Sequence, residues 1–143
     1  MSNRTIPKLD DTTYSRKEVL RAIKLGLSLS GSDLRGLDLS GLIFDGIDLQ
    51  NSKLAESNLT NSSFQGSNLS GCSLWKANLK ECNLNGAQLI GADLEWCNLD
   101  GCTIQGANLQ RAILPLQFVT LEELRNAIIS GAPLRLSKNP LKQ

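Results

Sequence analysis

Four cysteines, Cys72, Cys82, Cys97 and Cys102, carry the most reactive side chains in the sequence. Paired thiols can hold a metal or form a redox couple. Here no two are spaced C-x-x-C, and the chain has no histidine to complete a ligand set. All four fall at one phase of a short pattern, where Ala and Ser also occur, and so read as small buried hydrophobes. Asp and Asn are frequent too, but a calcium-binding roll needs a nine-residue repeat with paired glycines, and neither is present. They are expected to close turns with their side-chain oxygens. With no acid–base histidine, no activated cysteine and no phosphate-binding glycine fingerprint, no catalytic, cofactor or metal residue is assigned. The chain is not expected to be an enzyme.

What positions these side chains is a word of five residues. Stepping by five from Leu29 meets Leu34, Leu39, Phe44, Leu49, Leu54, Leu59, Phe64, Leu69, Leu74, Leu79, Leu84, Leu89, Leu94, Leu99, Ile104 and Leu109, seventeen large apolar residues without a gap. Two residues before each centre lies a small or aliphatic residue, and one before is mostly Asn or Asp. Ten of the twelve glycines lie two residues after a centre, which marks that phase as a corner. Glu56, Lys76, Glu81, Trp96 and Arg111 share it, so a positive φ is not expected at every corner.

A period of five suits neither regular element. On an α-helix five residues advance about 500°, which scatters the leucines. On a strand an odd period sends successive leucines to opposite faces. The chain must turn once per word, so that all the leucines face one axis. That is a solenoid.

The word, written A/S/C-N-L-x-G and running from Leu27 to Leu114 without an insertion, resembles that of the pentapeptide-repeat proteins. The resemblance implies an all-β solenoid: a right-handed quadrilateral parallel β-helix with four words per turn. Members of that family are especially abundant in cyanobacteria, mostly with no known activity, and a small stand-alone chain with helices at both ends resembles those. Four words per turn would stack Cys82 on Cys102 at a strand spacing of about 4.8 Å, close enough for a disulfide. It would also align Asn58, Asn78 and Asn98 as a side-chain ladder.

The ends follow helix grammar. Residues 1–26 read as a loose tail to residue 14 and then a capping helix. Ser15 and Glu18 form a capping box, Val19, Leu20, Ile23 and Leu25 follow at helical spacing, and Gly26 is the stop. Residues 27–114 are the β-helix of about four coils. In residues 115–143, Pro115 ends the repeat, and Leu116, Phe118 and Val119 offer apolar cover. Thr120 and Glu123 open a second helix carrying Leu124, Ala127, Ile128 and Ile129, Gly131 stops it, and a tail follows. Short α-helical caps at both ends are expected to cover strand edges that would otherwise pair with other molecules.

With four walls, the one built on Leu34, Leu54, Leu74 and Leu94 would carry Asp33, Arg35, Lys53, Glu56, Lys76, Asp93 and Glu95, seven of the fourteen charges between Leu29 and Leu114. It would also hold both tryptophans, Trp75 and Trp96, with Lys76 directly beneath Trp96 for a cation–π contact. Exposed Trp among mixed charges has the make-up of a partner surface. Rings lying flat on their own wall, or under a terminal segment, are the structural alternative.

Two functions follow. The first is a non-enzymatic scaffold or protein-interaction module with an unknown protein partner. The alternative, which the resemblance suggests, is a DNA mimic that inhibits a type II topoisomerase such as gyrase. Nine acids against five bases over residues 29–114 and a coil about 20 Å tall suit that role poorly. Direct nucleic-acid binding is not expected from the basic residues Arg16, Lys17, Arg21 and Lys24 alone. The chain reads as a monomer or a weak dimer through the C-terminal helix. With no secretory signal and no membrane span, a cytoplasmic, reducing setting is expected.

Overall fold

The structure, a computed structural model, describes residues 14–136 of the 143-residue chain. Most of the tail expected over residues 1–14 lies outside the described residues. Tyr14 is described, and it is buried in the core.

Each word contributes a single β-bridge residue, and the bridges are parallel with a register of 20 residues: Asp33 to Lys53, Lys53 to Ser73, Ser73 to Asp93, Asp93 to Ile113. Twenty residues are four words, so one circuit of the coil has four walls. Each wall is a rung one residue long, and among the described residues no longer strand occurs. The rungs are tied both ways. Leu34 N–H donates to Lys53 C=O at 2.8 Å, Gly36 N–H to Ala55 C=O at 3.0 Å, and Lys53 N–H returns to Ser32 C=O at 2.8 Å.

Between rungs the chain makes a β-turn that begins at the central leucine: Ser57 N–H donates to Leu54 C=O at 3.2 Å. The third turn residue has φ > 0 at every corner. Besides the glycines these include Asn51 (60°), Glu56 (59°), Asn61 (60°), Lys76 (55°), Glu81 (59°), Trp96 (63°) and Arg111 (59°). The expectation from the non-glycine corners is therefore corrected. A type II turn demands that conformation whatever the residue. The cost of about 1–2 kcal/mol for a residue with a Cβ is offset locally, since the corner N–H is locked to the next coil, as Glu56 N–H is to Trp75 C=O at 2.9 Å.

The Asp and Asn before each centre bond within their own word. Asn58 Oδ1 accepts Thr60 N–H at 3.1 Å, Asn78 Oδ1 accepts Lys80 N–H at 3.1 Å and Asn98 Oδ1 accepts Asp100 N–H at 3.0 Å. The side-chain ladder expected for these three is replaced by Asx turns that brace each rung.

The leucine positions from Leu29 to Ile104 are buried; Leu109 is only partly so. The small phase is buried beside them and has its own bonding. Ser62 Oγ donates to Leu39 C=O at 2.9 Å, and the Cys72, Cys82 and Cys97 thiols donate to Leu49, Leu59 and Leu74 C=O at 2.9, 2.8 and 2.7 Å. Each donor reaches the coil before it. Ser and Cys thus serve the same purpose here: a small side chain with one proton to give.

Helix α1 spans Arg16–Lys24 and is bounded by the Ser15/Glu18 capping box. It ends in a Schellman turn, with Gly26 N–H on Ile23 C=O (3.1 Å) and Leu27 N–H on Ala22 C=O (2.9 Å). Val19 and Ala22 are buried, whereas Leu20 and Leu25, expected on the docked face, are 43% and 58% exposed. Arg16 does the joining. Its Nη1 and Nη2 donate to Asp38 and Ser40 C=O at 3.0 and 2.9 Å. One coil later the equivalent carbonyls, Asn58 and Thr60, accept Leu39 and Gly41 N–H. The guanidinium stands where a preceding coil's two amides would be.

Helix α2 spans Leu121–Ser130, with a Thr120/Glu123 capping box and Gly131 at φ 76°. It buries Leu124 and Ala127, while Ile129 is 71% exposed. The chain after it is not a loose tail throughout. Leu134 is buried and exchanges backbone bonds with the last coil, its N–H to Cys102 C=O and its C=O from Gly101 N–H.

Candidate partner surface

The 20-residue register brings the charged and tryptophan positions together on one wall, since Asp33, Lys53, Ser73, Asp93 and Ile113 form a continuous bridge column. On its first coil Arg35 grips Asp33 with two bonds, Nε to Oδ1 at 2.9 Å and Nη2 to Oδ2 at 2.7 Å. That guanidinium holds the Asp33 carboxyl below its ordinary range. Lys53 and Glu56 on the next coil are exposed.

On the third coil Lys76 Nζ lies 4.5 Å from the centre of the Trp75 ring. The cation–π contact expected with Trp96 is therefore made with the adjacent ring instead. The corner at Lys76 bends its side chain back over its own word. Trp96, 44% exposed, meets Phe118 edge-on at 5.9 Å and 75°. Its backbone N–H reaches Gln117 Oε1 at 3.4 Å. Glu95 is half-buried, its N–H on Asp93 Oδ1 at 3.0 Å. The wall thus carries one ring braced by a lysine and one braced by the C-terminal segment. Trp96 thus lies against a terminal segment, the alternative raised for the rings, and Phe118 is among the residues expected to give apolar cover; nothing in the sequence singles out Gln117.

The cysteines are not poised for chemistry. All four are free and buried. Burial pushes the Cys82 and Cys97 thiols up to about 12, Cys102 well above its usual value, and raises Cys72. A protonated thiol is a poor nucleophile and a poor metal ligand. Among the described residues no group of three or more His, Cys, Asp or Glu could hold a metal ion, and no helix is long and apolar enough to cross a membrane.

Comparison with known proteins agrees with the five-residue register. A family model described as pentapeptide repeats matches residues 43–74 and 77–114, in eight copies. The chain belongs to the pentapeptide-repeat family. Among solved members, a pentapeptide repeat protein from Nostoc PCC 7120 is similar over 82% of this chain and 95% of its own, at 22% identity and TM-score 0.64. One from the Arabidopsis thaliana thylakoid lumen covers 72% of both chains, at 22% identity and TM-score 0.54. One from the cyanobacterium Cyanothece 51142 is 31% identical over 62% of this chain and 55% of its own, at TM-score 0.43. The first two likenesses speak to the fold. No curated protein matches the chain.

Proposed function

We propose that this pentapeptide-repeat protein is a non-enzymatic interaction module, working as a rigid post that presents side chains on fixed rungs to a protein partner. In this reading the post is the right-handed quadrilateral β-helix of the family, α1 and α2 close its ends, and its setting is cytoplasmic. The observation that carries it is the wall of Trp75 and Trp96. The exposed Trp96 and the half-buried Trp75 sit among Arg35, Lys53, Glu56, Lys76 and Glu95 on one register of rungs, which suits a central aromatic anchor with a charged surround. The DNA-mimic reading finds less support, because this wall is mixed in sign and Asp33 is already neutralised by Arg35.

The test is a double substitution, Trp75→Ser with Trp96→Ser, compared with the native protein in crosslinked capture from native lysate. Loss of one or more specific bands from a variant that melts within a few degrees of the native protein supports the wall. An unchanged set of captured proteins removes it.

A further inference from the structure

The final coil has four corners, and the C-terminal segment closes three of them. Gly101 N–H donates to Leu134 C=O at 2.8 Å, Gly106 N–H to Ile128 C=O at 3.1 Å, and Trp96 N–H to Gln117 Oε1 at 3.4 Å. At the fourth, among the described residues, Arg111 N–H has no acceptor, and the mid-rung N–H of Leu109 on the same wall has none either. Leu99 and Ile104 also lack an acceptor for their N–H, but both are buried. The Leu109 rung is different: it opens on a cleft of about 290 Å³ between the last coil and α2, lined by Leu109, Leu114, Leu121, Leu124 and Ile128, with Arg125 at its side. Leu109 is also the one member of the leucine column left partly uncovered.

One coil earlier, the same wall shows what completes such a rung. Leu89 N–H donates to Asn108 C=O and Gly91 N–H to Gln110 C=O, while Asn108 N–H donates back to Ala87 C=O. The carbonyls on either side of a leucine accept two amides, and the leucine itself drops onto the one below. Shifted by 20 residues, the donors are Leu109 N–H and Arg111 N–H, the acceptor is Ala107 C=O, and the hole for the side chain is the cleft.

We infer that the open rung at Leu109 and Arg111 is a docking site for an extended strand of another protein, which adds as one more word. Strand addition to an exposed edge is an established mode of peptide recognition. The geometry specifies the guest: one large aliphatic residue for the cleft, preceded by a residue with a free N–H for Ala107. Arg125 lines the cleft, so acidic residues beside the aliphatic one are favoured. The chain's own residues 137–143 offer only Leu141, and Pro140 before it has no N–H to give. This site lies at the end of the post, on the wall next to the one that carries the tryptophans, and rests on the interaction-module reading only in that both bind protein. Its test leaves Trp75 and Trp96 untouched.

The probe is a blocked hexapeptide copying residues 91–96, with Asp and Glu on either side of its leucine, titrated into the full chain and followed by amide NMR. The expected result is saturable shifts at Leu109, Arg111 and Ala107. Peptides with Ala for the leucine, or Pro for the preceding Asp, should bind roughly tenfold more weakly or worse. Arg125→Glu, on an exposed side chain, should weaken binding roughly tenfold with no change in melting temperature. No shift at these amides with millimolar peptide, or equal binding of the proline peptide, overturns the assignment. So does a free protein already dimeric through the cleft by sedimentation, or amides at Leu109 and Arg111 that lose their hydrogen-exchange protection only when residues 137–143 are deleted.

Discussion

Phe44 and Phe64 stack, with ring centres 4.8 Å apart and planes within 3° of parallel. That distance lies within the range aromatic pairs prefer, and the register supplies it. The two side chains occupy the same phase on successive coils, and 4.8 Å is the spacing between hydrogen-bonded strands. The pair measures the rise of the coil. It also fills a wall where every other centre is Leu or Ile.

Phe64 is therefore replaceable by what its neighbours use. Phe64→Leu keeps the column filled and is expected to cost under about 1.5 kcal/mol. Phe64→Ala leaves a cavity between Phe44 and Leu84 and should cost about 3–5 kcal/mol. Urea denaturation of both variants measures the difference. Equal losses would mean that the stacked rings matter in themselves and not only as volume.

The corners allow a cleaner test of backbone strain. Gly46 has φ 68°, and a Cβ added there would meet nothing within 4 Å, so Gly46→Ala isolates the conformational cost. A loss of about 1 kcal/mol is expected. In the opposite direction Glu56→Gly, at φ 59°, should stabilise by a similar amount. At Gly101 a Cβ would collide with the Glu81 carboxylate, so Gly101→Ala adds a displaced side chain to the strain. If Glu56→Gly destabilises the protein, corner strain is not what sets its preference for glycine.

Arg16 is bound to two backbone carbonyls and lies 3.8 Å from the exposed Asp38 carboxylate. The ion pair is exposed and contributes little, so the carbonyl bonds dominate. Arg16→Ala should lower stability by about 1–3 kcal/mol. Arg16→Lys should rescue only part of that, since an ammonium cannot span both carbonyls as the planar fork does. Asp38→Ala should have a much smaller effect than Arg16→Ala in the same thermal melt. A reversed order would make the surface charge pair the important contact.

These residues also mark what the sequence could reveal. The leucine column, the corner phase and both capping boxes are legible because each is a repeated or stereotyped placement of side-chain types. Arg16 was not, because its partners are main-chain carbonyls and carry no residue signature. In sequence it looks like any basic residue on a helix. Leu20 and Leu25 misled for a related reason: spacing locates an apolar stripe but not how far it extends beyond the surface it covers. Lys76 was assigned to Trp96 by counting coils, yet a left-handed corner swings its side chain onto the neighbouring Trp75. Leu134 lies outside the uninterrupted word, so nothing in the period pointed to its rung beside Cys102.

Asp33 predicts the acid side of the stability profile. Its carboxyl is held below the ordinary range chiefly by Arg35, so the folded state favours the ionised form. The stabilisation is present above the unfolded pKa, near 4, and is lost as pH falls through the lower folded value. Arg35→Gln should flatten that acid limb in melting temperature against pH between about 5 and 2. An unaltered acid limb would assign the loss to other carboxylates.

The thiols predict the alkaline side. Cys82 and Cys97 are raised to about 12 by burial, so the folded chain keeps their protons where the unfolded chain releases them. A pKa raised on folding stabilises fully below the unfolded value of about 8.5. That contribution fades as pH climbs from there toward 12. Stability should thus fall between pH 9 and 11, and a thiol-specific reagent at pH 8 should find no reactive cysteine until denaturant is added. Cys97→Ser keeps a donor for Leu74 C=O, as Ser62 does for Leu39, and should remove the Cys97 share of the alkaline loss without unfolding the coil. Cys97→Ala fits equally well but leaves Leu74 C=O with only its turn bond from Ala77 N–H, and should be less stable than Cys97→Ser by about 0.5–1.5 kcal/mol. If the two variants melt together, the thiol's value lies in its volume and not in its proton.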